Sequence, residues 1–140
     1  MLIIDSGGVS RLAERSTRTL ALIRALRDDG LWPPIAPTVV LVESLQGHSG
    51  SDAITSKFLK TCVIETVVTE RTARRAAELR RRSQHGSAVD AIVVTLAEPG
   101  GTILTGDRAD IEALAAHAHD VTVETIRNRS TAGISHLCSQ

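Results

Sequence analysis

Residues 1–8, MLIIDSGG, begin with apolar side chains, reach an acid at Asp5 and pass at once to Ser6, Gly7 and Gly8. A short apolar run bounded by turn formers reads as a buried strand running into a turn. Working outward, TILT (102–105) followed by Gly106-Asp107 repeats that pattern. Further strands are expected near Ile35, over CVIETVV (62–68), where β-branched residues dominate, and over the alternating VTVETI (121–126). Helical segments fill the intervals. They cover 9–29 up to a stop at Gly30, 38–46 between Pro37 and Gly47, and 51–60 with Ser51 as a cap. The rest are 69–83, 87–98 ahead of Pro99-Gly100-Gly101, and 109–118. Strands alternating with helices predict an α/β three-layer sandwich with a mainly parallel central sheet flanked by helices. One domain is expected over 1–126, with a loosely ordered tail over 127–140, where periodicity is lost.

Composition narrows the chemistry. The chain has 140 residues, 42% of them hydrophobic and 23% charged, as in ordinary globular proteins. It has one Trp, one Phe and no Tyr, so the core is aliphatic and base stacking on aromatic platforms is disfavoured. Sixteen basic and sixteen acidic residues cancel, leaving no global field to attract a polyanion. Lys57 and Lys60 are the only lysines; the other bases are arginines, which suit bidentate phosphate contacts but also follow from a GC-rich genome. Cys62 and Cys138 lie far apart in no ligand-spaced cluster, so a reduced, cytoplasmic chain is expected. No stretch has the length and apolarity of a membrane span.

In open α/β sheets, sites form beyond the carboxyl ends of strands. Asp5 and Asp107 both fall there, Asp90 falls in the first turn of the 87–98 helix, and Glu43 sits in the apolar run TVVLVESLQ (38–46). Each has an ordinary structural reading. Asp90 follows Ser87 by three residues, a capping box. Asp107 suits the cap of the next helix, Asp110 its first turn, and Asp5 a strand end. Glu43 fits capping least, and a buried Arg is its structural alternative. Taken together, several converging carboxylates need a cation to remain ionised. Oxygen-only ligands favour Mg²⁺ or Mn²⁺, which suit phosphoryl chemistry.

The order IIDSG near the start, VESLQ around 43, SAVDAIVVTLA around 90 and ILTGDRADIEAL around 107 resembles PIN-domain proteins, most closely the VapC-type toxins of bacterial toxin–antitoxin pairs. The resemblance covers nearly the whole chain. It implies a metal-dependent endoribonuclease that cleaves RNA phosphodiester bonds with a metal-activated water and releases a 5′-phosphate. It also implies a homodimer and a small cognate VapB-type antitoxin. By the same resemblance, Asp5, Glu43, Asp90 and Asp107 are the catalytic acids and Mg²⁺ (or Mn²⁺) ligands, Asp110 is a further ligand, and Ser6 supports them. Gly7-Gly8 departs from the family, where a small residue and an aliphatic pair usually follow. A looser loop there would weaken preorganisation or leave space for substrate.

Two other readings stay open. One is a catalytically inert PIN-like module that binds RNA or protein. The other is a phospho-acceptor receiver domain, which would want an acid pair before the strand-end Asp and a Lys after the last strand. In TERTARRAAELRRRS (69–83), Arg71, Arg75 and Arg82 share a stripe with Arg74 beside it. That stripe is either an RNA-phosphate surface or a solvated face of Arg–Glu pairs. His117 and His119 are expected at the surface, and His85 in a loop.

Overall fold

Leu2, Ile3 and Ile4 are all buried, so the first strand is covered on both faces. An unbroken apolar run is what such a position requires. The computed structural model describes residues 1–127. From residue 128 on, the expected tail lies outside the described residues, with His136 and Cys138. Five strands form one sheet: β1 (Leu2–Ile4), β2 (Ile35–Pro37), β3 (Val63–Glu65), β4 (Thr102–Thr105) and β5 (Thr122–Thr125). All pairings are parallel and the order is β3-β2-β1-β4-β5. β1 and β4 run in register, with Ile3 opposite Ile103 and Ile4 opposite Leu104.

Among the described residues, seven helices flank the sheet: α1 (Ser6–Ala13), α2 (Thr17–Asp28), α3 (Thr38–Ser44), α4 (Ser49–Leu59), α5 (Glu70–Ser83), α6 (Ala88–Ala97) and α7 (Arg108–Ala115). α1 packs with α2, α3 and α4, while α5, α6 and α7 pack with one another. Right-handed crossovers put the first group on one face and the second on the other, since the chain moves one way from β1 to β3 and the opposite way from β3 to β5. The three-layer parallel sandwich expected from the sequence is therefore the fold. Its strand order differs from the 2-1-3-4-5 order of receiver-type sheets.

The core is aliphatic. Val9 and Leu12 of α1, Val93 and Val94 of α6, and Ile111 and Leu114 of α7 close on Ile3, Ile4, Ile103 and Leu104. α6 is almost wholly apolar because it lies under both of its neighbours, α5 and α7.

Three local expectations are corrected. The segment 9–29 is two helices, interrupted at Arg15 with φ 52° and restarted by Ser16, whose Oγ accepts from the Thr19 amide at 3.2 Å. Ser6-Gly7-Gly8 is not a turn but the first turn of α1, because Asp5 caps the helix directly off the strand. α4 begins at Ser49, with His48 rather than Ser51 at its cap. The Ser51 hydroxyl donates back to the His48 carbonyl, and Asp52 accepts from the Gln46 and Gly47 amides.

Candidate active site

In the order β3-β2-β1-β4-β5, successive connections leave β1 and β4 in opposite directions. The carboxyl ends of these two strands flank the switch point, where open α/β sheets form their binding crevice. Asp5 leaves β1 there and Asp107 follows β4. A residue missed by the sequence reading, Thr105, joins them. Its hydroxyl lies 2.5 Å from Asp5 Oδ2 and 2.7 Å from the Asp107 carbonyl oxygen, and accepts from the Asp107 amide at 3.0 Å. Thr105 is fully buried, one of few polar side chains so placed. The available signal was a hydroxyl ending an apolar strand two residues before an acid.

Asp5 is 6% exposed. Its Oδ1 accepts from the Gly8 amide at 2.7 Å in the first turn of α1. Burial is the largest influence on this carboxyl and raises its pKa. The bonds from Thr105 and Gly8 oppose burial, the charge of Asp90 adds to it, and the Gly106 amide opposes it more weakly. The net direction is upward. A desolvated carboxylate feeling a second carboxylate lacks a counter-charge, the condition a bound cation relieves.

The capping roles considered for the other aspartates are real. Asp90 Oδ2 accepts from the Ser87 amide at 2.9 Å, and Ser87 Oγ accepts from the Asp90 amide at 3.0 Å, completing the capping box of α6. Asp107 Oδ1 accepts from the Ala109 amide at 3.3 Å and caps α7. Each cap uses one carboxylate oxygen. Asp90 Oδ1 and Asp107 Oδ2 have no hydrogen-bond partner among the described residues, so a cap and a ligand role are compatible in one side chain.

The apolar run around Glu43 does not form a buried helix. α3 is only seven residues long, Val40 is its one fully buried side chain, Val42 is 78% exposed, and Glu43 is exposed. Its partner is a hydroxyl rather than an Arg: Ser6 Oγ donates to Glu43 Oε2 at 2.8 Å. Ser6, Ser10, Ser44, Ser51 and Thr55 line a pocket of about 270 Å³ beside Glu43. Asp110 is exposed in the first turn of α7, with Oδ1 4.0 Å from His85 Nδ1.

The acids are thus linked in small groups: Asp5 with Thr105 and Asp107, Asp5 with Asp90 through charge, Ser6 with Glu43, and Asp110 with His85. Among the described residues, no three His, Cys, Asp or Glu side chains stand close enough together to hold a metal ion. The donor chemistry nevertheless fits a hard cation, since every candidate ligand is a carboxylate or hydroxyl oxygen. The desolvated Asp5, with Asp90 acting on it, is where such a cation would gain most.

Gly7 and Gly8 are neither a loose loop nor open space for substrate. A Cβ on Gly7 would lie 3.0 Å from the Gly106 nitrogen, and one on Gly8 would lie 2.5 Å from the Leu104 carbonyl oxygen and 2.7 Å from Ile4 Cγ1. The two glycines let the start of α1 press against the end of β4. Gly8→Ala is therefore expected to lose about 2 kcal/mol by overpacking, despite its gain of about 1 kcal/mol in helix propensity. Gly50→Ala on α4, which would meet nothing within 4 Å, is expected to melt at or slightly above wild type. Thermal unfolding of the two variants checks this; equal melting temperatures would mean the α1–β4 packing yields easily.

The arginine stripe divides. Arg75 donates from Nη2 and Nε to Glu98 at 2.7 and 3.0 Å, from Nη1 to Glu78 at 2.9 Å, and from Nη2 to the His117 carbonyl at 3.3 Å. Those acids raise its pKa further, and its structural role displaces the RNA-binding one expected for it. Arg74 pairs with Glu70 at 2.7 Å and Arg82 with Glu78 at 3.6 Å, whereas Arg71 is exposed. His119 is exposed and His117 half-buried, both beyond the end of α7 at Ala115.

Comparison with protein-family models and with curated proteins finds no match for the chain.

Proposed function

We propose that the chain is a metal-dependent endoribonuclease of the PIN-domain, VapC type, hydrolysing RNA phosphodiester bonds and neutralised by a small VapB-type antitoxin. The observation carrying this reading is the juxtaposition of Asp5 and Asp107 through Thr105 at the switch point, with Asp90 acting electrostatically on Asp5. Asp5, Asp90, Asp107 and Glu43, with Asp110 beyond them, would hold Mg²⁺ or Mn²⁺. When bound, that ion lowers the pKa of a coordinated water and neutralises charge on the phosphate.

The chain's own groups have separate tasks. Asp5 holds a fixed negative charge where solvent is excluded, positioned by Gly8 and Thr105. Glu43, exposed and hydrogen-bonded by Ser6, would accept a proton from the attacking water. Exposed Val42 on α3, Leu45 just after it and Ile54 on α4 offer apolar surface on the elements around Glu43, which supports a protein partner there. A homodimer and a cytoplasmic location belong to the same proposal. Among the described residues no helix is long and apolar enough to cross a membrane.

The separation of the acids into small groups favours a second reading, an inert module that binds RNA or protein without turning it over. Cleavage of mixed folded RNAs in Mg²⁺, Mn²⁺ or EDTA separates the two. Glu43→Gln is expected to reduce metal-dependent cleavage by at least about a hundredfold while changing stability by less than about 0.5 kcal/mol, because the side chain is exposed. Full cleavage by that variant would remove Glu43 from the mechanism. Absence of both cleavage and metal binding in wild type would favour the inert module.

A further inference from the structure

Three of the six arginines on α5 are held by acids: Arg74 by Glu70, Arg75 by Glu98 and Glu78, and Arg82 by Glu78. Arg80 and Arg81 form no ion pair among the described residues. With Ala77 they occupy positions i, i+3 and i+4 of α5, one helix edge, and Gln84 follows at the end of the helix with φ 56°. This edge lies on the other side of α5 from Arg75. Together with His85 and Gly86 it lines an open groove of about 420 Å³ that contains no carboxylate.

The far wall of the groove meets the acidic rim. His85 Nδ1 stands 4.0 Å from Asp110 Oδ1. Gly86, with φ 84°, is pressed so closely on α7 that a Cβ there would lie 2.5 Å from Leu114 Cδ1, and 3.5 Å from Asp90 Cβ. The loop after α5, through His85 and Gly86, thus lines the groove on one side and touches the candidate acids Asp110 and Asp90 on the other. We infer that this groove binds the backbone phosphates of single-stranded RNA flanking the scissile bond, an assignment that rests on the nuclease reading above.

The charge pattern favours that ligand. A polyanion drawn to the acids alone would be repelled, and the chain has no net charge to offset this. Two guanidiniums without an ion-pair partner among the described residues, in a groove whose His85 and Gly86 wall reaches Asp110 and Asp90, supply a local offset and the forked donor geometry that phosphate accepts. The groove lining holds no Phe, Tyr or Trp, and His85 is its one ring, so binding rests on phosphates more than on stacked bases and carries little sequence preference. Arginines in a last helical turn also favour the helix dipole. A dipole role would lower melting temperature on substitution and leave RNA binding unchanged.

The test is fluorescence anisotropy of a short labelled single-stranded RNA with full-length protein in EDTA, titrated across KCl concentration, with folding checked by circular dichroism. Arg80→Gln/Arg81→Gln is expected to weaken binding roughly tenfold and to reduce the slope of log K against log salt by about 1.4, about 0.7 for each single-strand phosphate no longer neutralised. Arg71→Gln/Arg82→Gln, on the opposite edge, is expected to match wild type. A wild-type slope in the Arg80/Arg81 variant, with RNA still bound, would overturn the groove and leave the nuclease reading standing. Loss of binding in that variant, in a protein that never cleaves RNA with Mg²⁺ or Mn²⁺, would sustain the groove and sink the nuclease. No RNA binding by wild type in EDTA would overturn the groove, and the nuclease reading would fall with it only if Mg²⁺ and Mn²⁺ also gave no cleavage.

Discussion

Replacing Asp5 by Asn is expected to abolish RNA cleavage and, in the same protein, to raise its melting temperature. The first effect follows from removing the most buried of the candidate ligands, a loss of at least about a hundredfold. The second follows from hydrogen counting. The Thr105 hydroxyl has one proton and two acceptors within reach, Asp5 Oδ2 at 2.5 Å and the Asp107 carbonyl at 2.7 Å. An ionised Asp5 takes that proton and leaves the carbonyl without it. Asn donates from Nδ2 to Thr105 Oγ, frees the hydroxyl for Asp107, and still accepts from the Gly8 amide. It also removes a desolvated charge from beside Asp90. The small favourable influence of the Gly106 amide on the ionised carboxylate is the offsetting loss. A gain of about 1 kcal/mol is typical when a functional strain is relieved, or about 3–5 °C in Tm at this chain length.

The pH dependence sharpens the same prediction. Burial raises the Asp5 pKa in the folded chain above its value in the unfolded chain. Between those two values the folded chain keeps a proton that the unfolded chain has released. Stability therefore falls as pH rises through that window and stays lower above it. Asp5→Asn has no such window, so its advantage should be smallest in acid and largest at neutral pH. Thermal melts of both proteins from acid to neutral pH, in EDTA so that no metal binds selectively to wild type, check this. A lower Tm for the variant at neutral pH would mean that the ionised Asp5 is fully satisfied by its donors.

The layers of the fold were legible because β1 is apolar throughout and β4 and α6 are mostly so, and such runs have few places to go in a small domain. The boundary errors share a cause: side-chain caps acting where turn formers suggested loops. Asp5 caps α1 straight off the strand, turning Ser6-Gly7-Gly8 into a helix start. Ser16 restarts the chain after Arg15. The candidate acids were legible one at a time, from their places at strand ends and helix starts. What joins them was not. Thr105 looks like one more β-branched strand residue until its register against β1 places it beside Asp5. The apolar run around Glu43 reads as a buried helix, but α3 is too short to bury more than Val40. The division of labour among the arginines depends on Glu98, more than twenty residues away in sequence, and no helical periodicity within α5 reveals that partner.

Arg75→Met is accordingly expected to be the most damaging surface-helix substitution in the molecule. Arg75 is 19% exposed and Glu98 11%, and their paired bonds tie α5 to the end of α6, with a third bond reaching the His117 carbonyl beyond α7. Methionine keeps the aliphatic packing and removes every donor, leaving Glu98 with the His119 amide alone. Breaking a largely buried pair costs about 3 kcal/mol, because the remaining charge is stranded, which corresponds to a Tm loss of about 10 °C. In wild type, burial pushes the Glu98 pKa up, but the bonds from Arg75 and the His119 amide outweigh it and the net shift is downward. A depressed carboxyl contributes stability that is present above its unfolded value and lost as pH falls through the folded one. Arg75→Met should therefore lose most at neutral pH and converge on wild type in acid. Adding Glu98→Gln should recover part of the loss by removing the stranded charge. If the single variant melts within about 1 kcal/mol of wild type, the Arg75–Glu98 pair behaves as a solvated surface pair, and the α5–α6 packing rests on Ala76 and Leu79 instead.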